Sequence, residues 1–299
     1  MSSRPRNRGR RIDARMDERN LKMRKVTHLT ELRRARTNLT GVLGLVPTMG
    51  ALHQGHMSLI TRARSECDHV GVSIFVNPAQ FGPDEDFNAY PRSLERDLQM
   101  LEEAGVDLVW IPEAESVYGP GFQTWVSVEE VSLPLEGKAR PGHFRGVATI
   151  VAKLFNSFIP ERAYFGQKDA QQVAVIKRMT ADLACPVEII VCATVREVDG
   201  LAMSSRNAYL SPEERRAATV LYRGLTAARN LYGSGTRAAD ELRKAIRSVI
   251  GSEPLASEEY VSAAEPETLV ELDQVRGPVL LSLAVRIGRT RLIDNILLP

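Results

Sequence analysis

The sequence predicts an α/β protein: a doubly wound, Rossmann-like parallel sheet domain followed by a smaller α+β C-terminal domain. Three observations predict this. Short, almost wholly apolar runs, Val42–Val46, Val70–Val76 and Val106–Ile111, alternate with stretches of helical spacing, as strands joined by crossover helices do. A proline follows each run within two residues (Pro47, Pro78, Pro112), and proline has no N–H to give to a sheet ladder. Beyond about Thr194 the order changes to helices followed by short strands.

The first strand is expected to end at Pro47. Gly50 supplies a turn, and from His56 the apolar Met57, Leu59 and Ile60 with Arg62 and Arg64 outward fit a helix. Gly55 argues against a regular helix through the residues just before it. After Val70–Val76 a polar loop runs to about Pro91. Leu94, Leu98, Leu101 and Ala104 then share a helical face that Gly105 closes, and Val106–Ile111 is the third strand. Gly119–Arg140 is less regular, with small antiparallel strands expected at Thr124–Val128. RPGHFRG leads into an apolar helix, Val147–Phe158; Arg162–Phe165 is a short strand, Ala170 to about Leu183 a helix and Val187–Cys192 a strand. Ser211 as N-cap, Pro212 at the first helical position and Glu214 three residues on make a strong helix start. A second helix, Ala238–Ile250, follows Gly233-Ser234-Gly235, and Glu259–Ala263, Val279–Val285 and Thr290–Ile296 read as strands. The domains expected are 23–194 and 195–299.

A chain of 299 residues has ample length for one large or two ordinary cores. No apolar run approaches the ~20 residues of a membrane span, and the charged opening has no signal-peptide core, so a cytoplasmic protein is expected. Cys67, Cys185 and Cys192 are widely spaced and show no metal-ligand pattern, which fits a reducing compartment. Residues 1–25 hold ten Arg/Lys against three Asp/Glu, so of the net +2 this stretch carries +7 and the rest −5. The basic character therefore belongs to a tail, residues 1–22, read as a solvated, disordered extension. The folded body lacks the basic stripe with interleaved aromatics of a nucleic-acid protein, and no nucleic-acid partner is expected.

Four segments have chemical potential. In PTMGALHQGH, His53 and His56 fall where a strand hands over to a helix N-terminus, a place where free N–H groups and the helix dipole favour anions. Imidazoles there can donate to phosphate oxygens whose charge changes during reaction. A zinc pair is the other reading, but the protease form needs His-Glu-x-x-His and here Gln54 and Gly55 intervene. A helix start that merely contains histidines is the bland one. FVNPAQF places the amides of Asn77 and Gln80 beside aromatic walls, suited to a small hydroxy acid or simply to loop backbone groups. Gly166-Gln167-Lys168-Asp169 again joins strand to helix, and Lys168 there is either a phosphate contact or a solvated side chain. Met203-Ser204-Ser205-Arg206-Asn207 sets two hydroxyls and a cation on a loop past the domain boundary, generic alone but able to close over a triphosphate.

The HxGH pattern after a strand resembles the nucleotide-binding signature of the adenylyl-transferring superfamily that includes class I aminoacyl-tRNA synthetases. The ordered series PTMGALHQGH, FVNPAQF with YPR (Tyr90 to Arg92), RPGHFRGV, YFGQKDAQQ and REVDGLAMSSRN, closing with AVRIGRTRLIDNI, resembles the pantoate–β-alanine ligases (pantothenate synthetases) from about Met23 to Asn295. Ala193 and Ala170 depart from residues frequent in that family, proline and an aromatic, and remove no polar group.

The resemblance implies ATP-dependent condensation of (R)-pantoate with β-alanine through a pantoyl adenylate, releasing AMP and pyrophosphate. It implies that His53 and His56 stabilise charge at the α-phosphorus, and that Lys168, Ser204, Ser205 and Arg206 hold the β- and γ-phosphates. Gln80 and Gln172 would bind pantoate, with Asn77 and Tyr90 near the pantoate and β-alanine region. Met49, Gly166, Asp169, Val195 and Met203 would border the nucleotide. Mg²⁺ is expected on the phosphates with no all-protein metal site, together with a homodimer formed through the first domain and a second domain acting as a hinged lid. The alternatives are another HxGH-type nucleotidyltransferase, which would have no need of Gln80 and Gln172, and a non-catalytic nucleotide-binding protein.

Overall fold

The structure, a computed structural model, describes residues 23–83 and 85–299. The reading of residues 1–22 as a basic tail lies outside the described residues.

The chain opens with β1 (Arg24–Val26), α1 (Leu29–Thr37), β2 (Leu43–Thr48), α2 (Gln54–Glu66), β3 (His69–Ile74), α3 (Leu94–Glu103) and β4 (Leu108–Trp110). Two single-turn helices, α4 (Ala114–Val117) and α5 (Glu136–Ala139), precede α6 (His143–Phe158), β5 (Arg162–Gly166), α7 (Ala170–Asp182) and β6 (Glu188–Cys192). The six strands form one parallel sheet in the order β1-β4-β3-β2-β5-β6. Both faces are covered. Leu32 of α1, Phe155 of α6 and Val175 of α7 belong to one apolar cluster, and Leu59 and Ile60 of α2 with Leu101 of α3 belong to the other. This is the doubly wound arrangement expected. From β2 the chain moves outward through β3 and β4, then returns to place β5 on the other side of β2. The β2/β5 junction is thus the switch point, where ligands bind beyond the carboxyl ends of the strands.

The remainder contains α8 (Pro212–Ala217), α9 (Val220–Gly233) and α10 (Ala239–Ile250), then the antiparallel strands β7 (Ala256–Ala264), β8 (Val279–Ile287) and β9 (Thr290–Leu298). Leu221 and Leu225 of α9, Leu242 and Ile246 of α10 and Leu281 and Leu283 of β8 share a separate core. Ser211 and Glu214 form the expected capping box, with Pro212 at the first helical position.

Three expectations about local structure fail, each for a physical reason, and one element was not expected at all. Pro47 does not end β2, which runs on to Thr48 and pairs Pro47 with Ser73 of β3. Thr48 O accepts from Phe75 N–H on the β3 side, so by alternation the proline nitrogen faces β5, where the ladder has already stopped at Leu45. Helix α2 begins at Gln54, not His56, and includes Gly55 in its first turn. Thr124–Val128 forms no strand; instead Val126 N–H donates to Thr149 Oγ1 of α6 at 3.0 Å. The β1–α1 opening, which no sequence signal marked, completes the sheet edge by pairing with β4.

Gly146 sets the distance between α6 and the loop after β3. A Cβ there would lie 2.1 Å from Ala79 O, and the side-chain amide of Asn77 donates to Gly146 O at 3.2 Å. Gly146→Ala therefore should push the 77–80 loop away and destabilise the fold by roughly 1–3 kcal/mol, the usual cost of overpacking. Denaturant unfolding checks this; an unchanged midpoint would show that the loop yields freely.

Candidate active site

Four loops meet at the carboxyl end of the sheet: the turn after β2, the loop after β3, the loop after β5 and the segment after β6. With Ser204–Arg206 from the second part of the chain they enclose a cavity of about 230 Å³. Of the candidate residues, Met49, His53, His56, Gln80, Tyr90, Gly166, Lys168, Asp169, Gln172, Val195, Met203, Ser204, Ser205 and Arg206 all line it. Asn77 alone stands behind the wall.

The histidines are the caps of their own helix. His53 is the N-cap of α2, and its Nδ1 accepts from Gly55 N–H at 3.1 Å; His56 Nδ1 accepts from His53 N–H at 3.3 Å. The pair forms a capping box in which imidazoles stand where Ser/Thr and Glu ordinarily do. Two consequences follow. An Nδ1 that accepts a backbone hydrogen bond is unprotonated, so in the neutral ring the proton sits on Nε2 and both histidines have Nε2–H to donate. Gly55 is required, because a Cβ there would come within 2.8 Å of the His53 ring. Burial, then Lys168, lowers the His53 pKa to about 4; burial, then His53, lowers that of His56 to about 3. Both rings are neutral donors at pH 7, with centroids 4.1 Å apart.

The turn that delivers them hangs on Asp97 of α3. Its carboxylate accepts from Ala51 N–H and Leu52 N–H, each at 2.8 Å, while Gly50 takes a positive φ of 80°. Asp97 is 1% exposed, and no motif in the sequence pointed to it. The signal was its position, three residues after Leu94 on the helix face that otherwise carries leucines.

Asn77 orients Gln80. Its Oδ1 accepts from Ala79 N–H at 3.3 Å and from Tyr118 OH at 2.8 Å. A backbone donor on Oδ1 forces Nδ2 to the other side, where it donates to Gln80 Oε1 at 2.8 Å. With its oxygen occupied, Gln80 has its amide N–H groups left for the cavity, suited to a hydroxyl or carboxylate oxygen. Asn77, expected among the substrate-binding residues, is 1% exposed and acts on the cavity through Gln80. His143 Nδ1 and Gln80 O are 2.8 Å apart, and Arg140 also donates to that carbonyl at 3.2 Å, so the Gln80 backbone is held as well.

The Lys168 loop is held by the last strand of the chain. Asn295 of β9 donates from Nδ2 to Gln167 O (3.0 Å) and Lys168 O (2.8 Å), and beside it Asp294 forms a two-pronged ion pair with Arg196 at 2.6 and 2.9 Å. Lys168 Nζ lies 3.5 Å from Asp169, the one carboxylate among the described residues on the cavity wall. Ser204 caps a short 3₁₀ turn, and Ser205 Oγ meets Tyr90 OH at 3.2 Å. Arg206 pairs with Asp86. Thr194 Oγ1, also on the wall, is buried with no protein partner among the described residues. Sequence reasoning gave no role to Thr194, Arg140, His143, Asp86 or Asn295; the contacts of Arg140 and His143 with Gln80 O, of Asp86 with Arg206 and of Asn295 with the Lys168 loop all join residues 60 or more apart in the chain.

Residues 21–297 match the family model for pantoate-beta-alanine ligase. The chain belongs to the pantoate–β-alanine ligase family. A pantothenate synthetase of Roseiflexus sp. strain RS-1 is 61% identical over 92% of this chain and 99% of its own, and one of Chloroflexus aggregans is 58% identical over 92% and 100%. Among solved structures, the pantothenate synthetase of Thermus thermophilus superposes with a TM-score of 0.88 at 49% identity, covering 92% of this chain and 99% of that one. The Francisella tularensis pantoate–β-alanine ligase, complexed with beta-gamma ATP and beta-alanine, has a TM-score of 0.76 at 36% identity, covering 92% and 97%. The chain is thus an amide-forming ligase of this family, and the match sets aside the other HxGH nucleotidyltransferases.

The histidine cap has a pH signature in this ligase. Both folded-state pKa values lie below the 6.5 of an ordinary imidazole, so on acidification the unfolded chain takes up these protons first. The stability that the neutral rings contribute is complete above about pH 6.5 and is lost as pH falls toward 4. His53→Asn keeps an N-cap acceptor and removes one titrating ring. Its unfolding midpoint should fall less between pH 6.5 and 4 than that of the parent, as followed by thermal unfolding across that range.

Proposed function

We propose that this cavity condenses (R)-pantoate with β-alanine in two steps at the expense of ATP. A pantoate carboxylate oxygen attacks the α-phosphorus of ATP, the bond to the β-phosphate oxygen breaks, and pyrophosphate leaves. The β-alanine amine, as free base, then attacks the acyl carbon of the adenylate; the amide forms, AMP departs with the electron pair, and the amine proton is lost. The observation that supports this most is the pair of Nε2–H donors beside Lys168 at the switch point, facing the Gln80 amide across one cavity. Neutral imidazoles fixed by backbone bonds need no reorganisation as charge grows on the phosphorus oxygens.

In this reading His53 and His56 donate to the α-phosphate region, and Lys168, Ser204, Ser205 and Arg206 hold the β- and γ-phosphates. Gln80 and Gln172 take the pantoate oxygens, Asn77 orients Gln80, and Tyr90 borders this side through its contact with Ser205. Val147, Ile150 and Val151 of α6 give the wall an apolar part that suits the dimethyl carbon of pantoate. Met49, Gly166, Asp169, Val195 and Met203 border the nucleotide.

Mg²⁺ belongs to this proposal as part of the nucleotide substrate. Among the described residues no group of three or more His, Cys, Asp or Glu stands together, so phosphate oxygens and water would supply most ligands, with Asp169 the carboxylate at hand. The ion would offset phosphate charge. The division at about Thr194 into a domain of residues 23–194 and a lid of residues 195–299 is likewise proposed. So is a homodimer through the first domain, where Trp125 is 41% exposed and stacked on Tyr118. No helix among the described residues is long and apolar enough to cross a membrane, and a cytoplasmic site of action is proposed.

Pyrophosphate release tests the two steps. With ATP and pantoate, a burst stoichiometric with enzyme should convert to turnover only when β-alanine is added. No release with pantoate would refute the substrate assignment, and no turnover under any condition would mark a non-catalytic nucleotide binder. Lys168→Ala and His53→Ala should each lower the burst rate by roughly 10²–10³, the usual effect of losing one preorganised donor. A variant with a near-normal burst would sink that residue's role.

A further inference from the structure

Most cations around the cavity and the adjoining cleft are already matched by carboxylates, among them Arg140 by Glu85, Arg206 by Asp86, Lys168 by Asp169, and Arg291 by Glu136. A polyanionic nucleotide therefore enters a site whose positive charge is largely spoken for. Most of these pairs are structural in their surroundings. Glu136, for instance, is 6% exposed and takes both Arg291 nitrogens and the Tyr260 hydroxyl. The Arg206–Asp86 pair differs. It bridges two surface segments, the 85–90 loop after β3 and the 205–209 turn of the second part, and it lies at the cavity mouth.

The Asp86 carboxylate uses both oxygens as a phosphate would. Oδ2 accepts from Arg206 Nε at 3.2 Å and Oδ1 accepts from Nη2 at 3.0 Å, two parallel bonds that match the guanidinium fork. Tyr209 OH lies 3.1 Å from Ala89 O and 3.4 Å from Asp86 Oδ2, with one proton to give to either, and the Arg206 guanidinium stands 5.9 Å from the centre of the Tyr90 ring. Burial disfavours the Arg206 charge, yet Asp86, with smaller help from Tyr90 and Asp169, holds the pKa above the ordinary value.

We propose that Asp86 is a positioning residue that stands in for a nucleotide phosphate: it holds Arg206 at the mouth of the cavity, yields it to the arriving triphosphate, and retakes it as pyrophosphate leaves. This rests on the assignment of Arg206 to the triphosphate. The fork to Asp86 leaves Nη1 and one Nη2 N–H of Arg206 for a second anion, but two anions around one half-buried cation repel each other and each weakens the other's hold. The exchange keeps the guanidinium paired in both states, so its charge is never left bare in a half-buried place. It also supplies an internal competitor that speeds the departure of a tightly held product.

The test uses the full chain with ATP, pantoate and β-alanine, and with inorganic pyrophosphate as product inhibitor. Asp86→Asn keeps the side-chain shape and removes the charge. Its KM for ATP and its inhibition constant for pyrophosphate should both fall about three- to tenfold, because the fraction of Arg206 free to bind rises, while the KM for pantoate stays put. Asp86→Glu should return both constants toward the parent. In an Arg206→Ala background the Asp86→Asn change should have no effect on either, as coupling requires. If Asp86→Asn leaves both constants unchanged or raises them, the stand-in role is overturned. If Arg206→Ala itself alters neither, the failure lies in the assignment of Arg206. Hydrogen exchange of the parent chain needs no variant: protection of the Phe87 and Ala89 amides should fall when pyrophosphate is added, and a rise would overturn the exchange.

Discussion

The start of α2 is closed by imidazole nitrogens that accept backbone hydrogen bonds, and most of the site's properties depend on that arrangement. It decides which nitrogen bears the proton, it keeps the rings neutral in a buried place, and it aims two identical donors at one cavity. It also explains the small residues nearby. Gly55 has to lack a side chain for the His53 ring to lie over the helix end, and Gly50 has to take a left-handed turn for Asp97 to reach the next two amides. A neutral donor has a further merit beside ATP. It strengthens as negative charge accumulates on the phosphorus oxygens, without binding the ground-state nucleotide as tightly as an imidazolium would.

Around this fixed centre the charges are arranged to cancel. Arg291 with Glu136 ties the second part of the chain to the first, and within the second part Arg196 with Asp294 holds β9 beside Asn295; both pairs are buried or nearly buried. Burial pushes the Asp294 carboxyl up and Arg196 draws it down, with burial the larger effect. Such pairs contribute geometry more than net stability, since removing one partner strands the other's charge. The ties lie along β9, while the 205–209 turn meets the loop after β3 through polar contacts, Arg206 with Asp86 and Ser205 with Tyr90.

The fold was legible because its signals are local and repeated. Apolar runs bounded by proline, the Ser211–Pro212–Glu214 start and the turn glycines each report on a few neighbouring residues. Where a strand end or a helix start departs from expectation, a tertiary fact decides the matter: Pro47 sits on the side of β2 where pairing has ceased, and a histidine cap makes Gly55 acceptable in a first turn. The candidate site was legible in its motif residues because the family resemblance names them. What the motifs could not disclose were the supports. Asp97, Tyr118, Asp86 and Asn295 lie 46, 41, 120 and 127 residues from groups they hold. Asn77 looked like Gln80 in sequence, two amides in one loop, and only the backbone donor at Ala79 separates the one that supports from the one that faces the cavity.

Asn295 gives this last point a practical edge. The carbonyls it grips belong to the loop that presents Lys168, yet the residue itself sits in the final strand of the antiparallel sheet. A fragment ending near residue 194 would retain the parallel sheet, both histidines and the lysine, while the lysine's loop would be free to relax. The two parts are therefore not separable as working units, and Leu269 and Leu280 of the second part also pack into the apolar cluster of the first. Grafting either half onto a foreign partner would have to recreate that amide clamp before the nucleotide-facing surface could be whole.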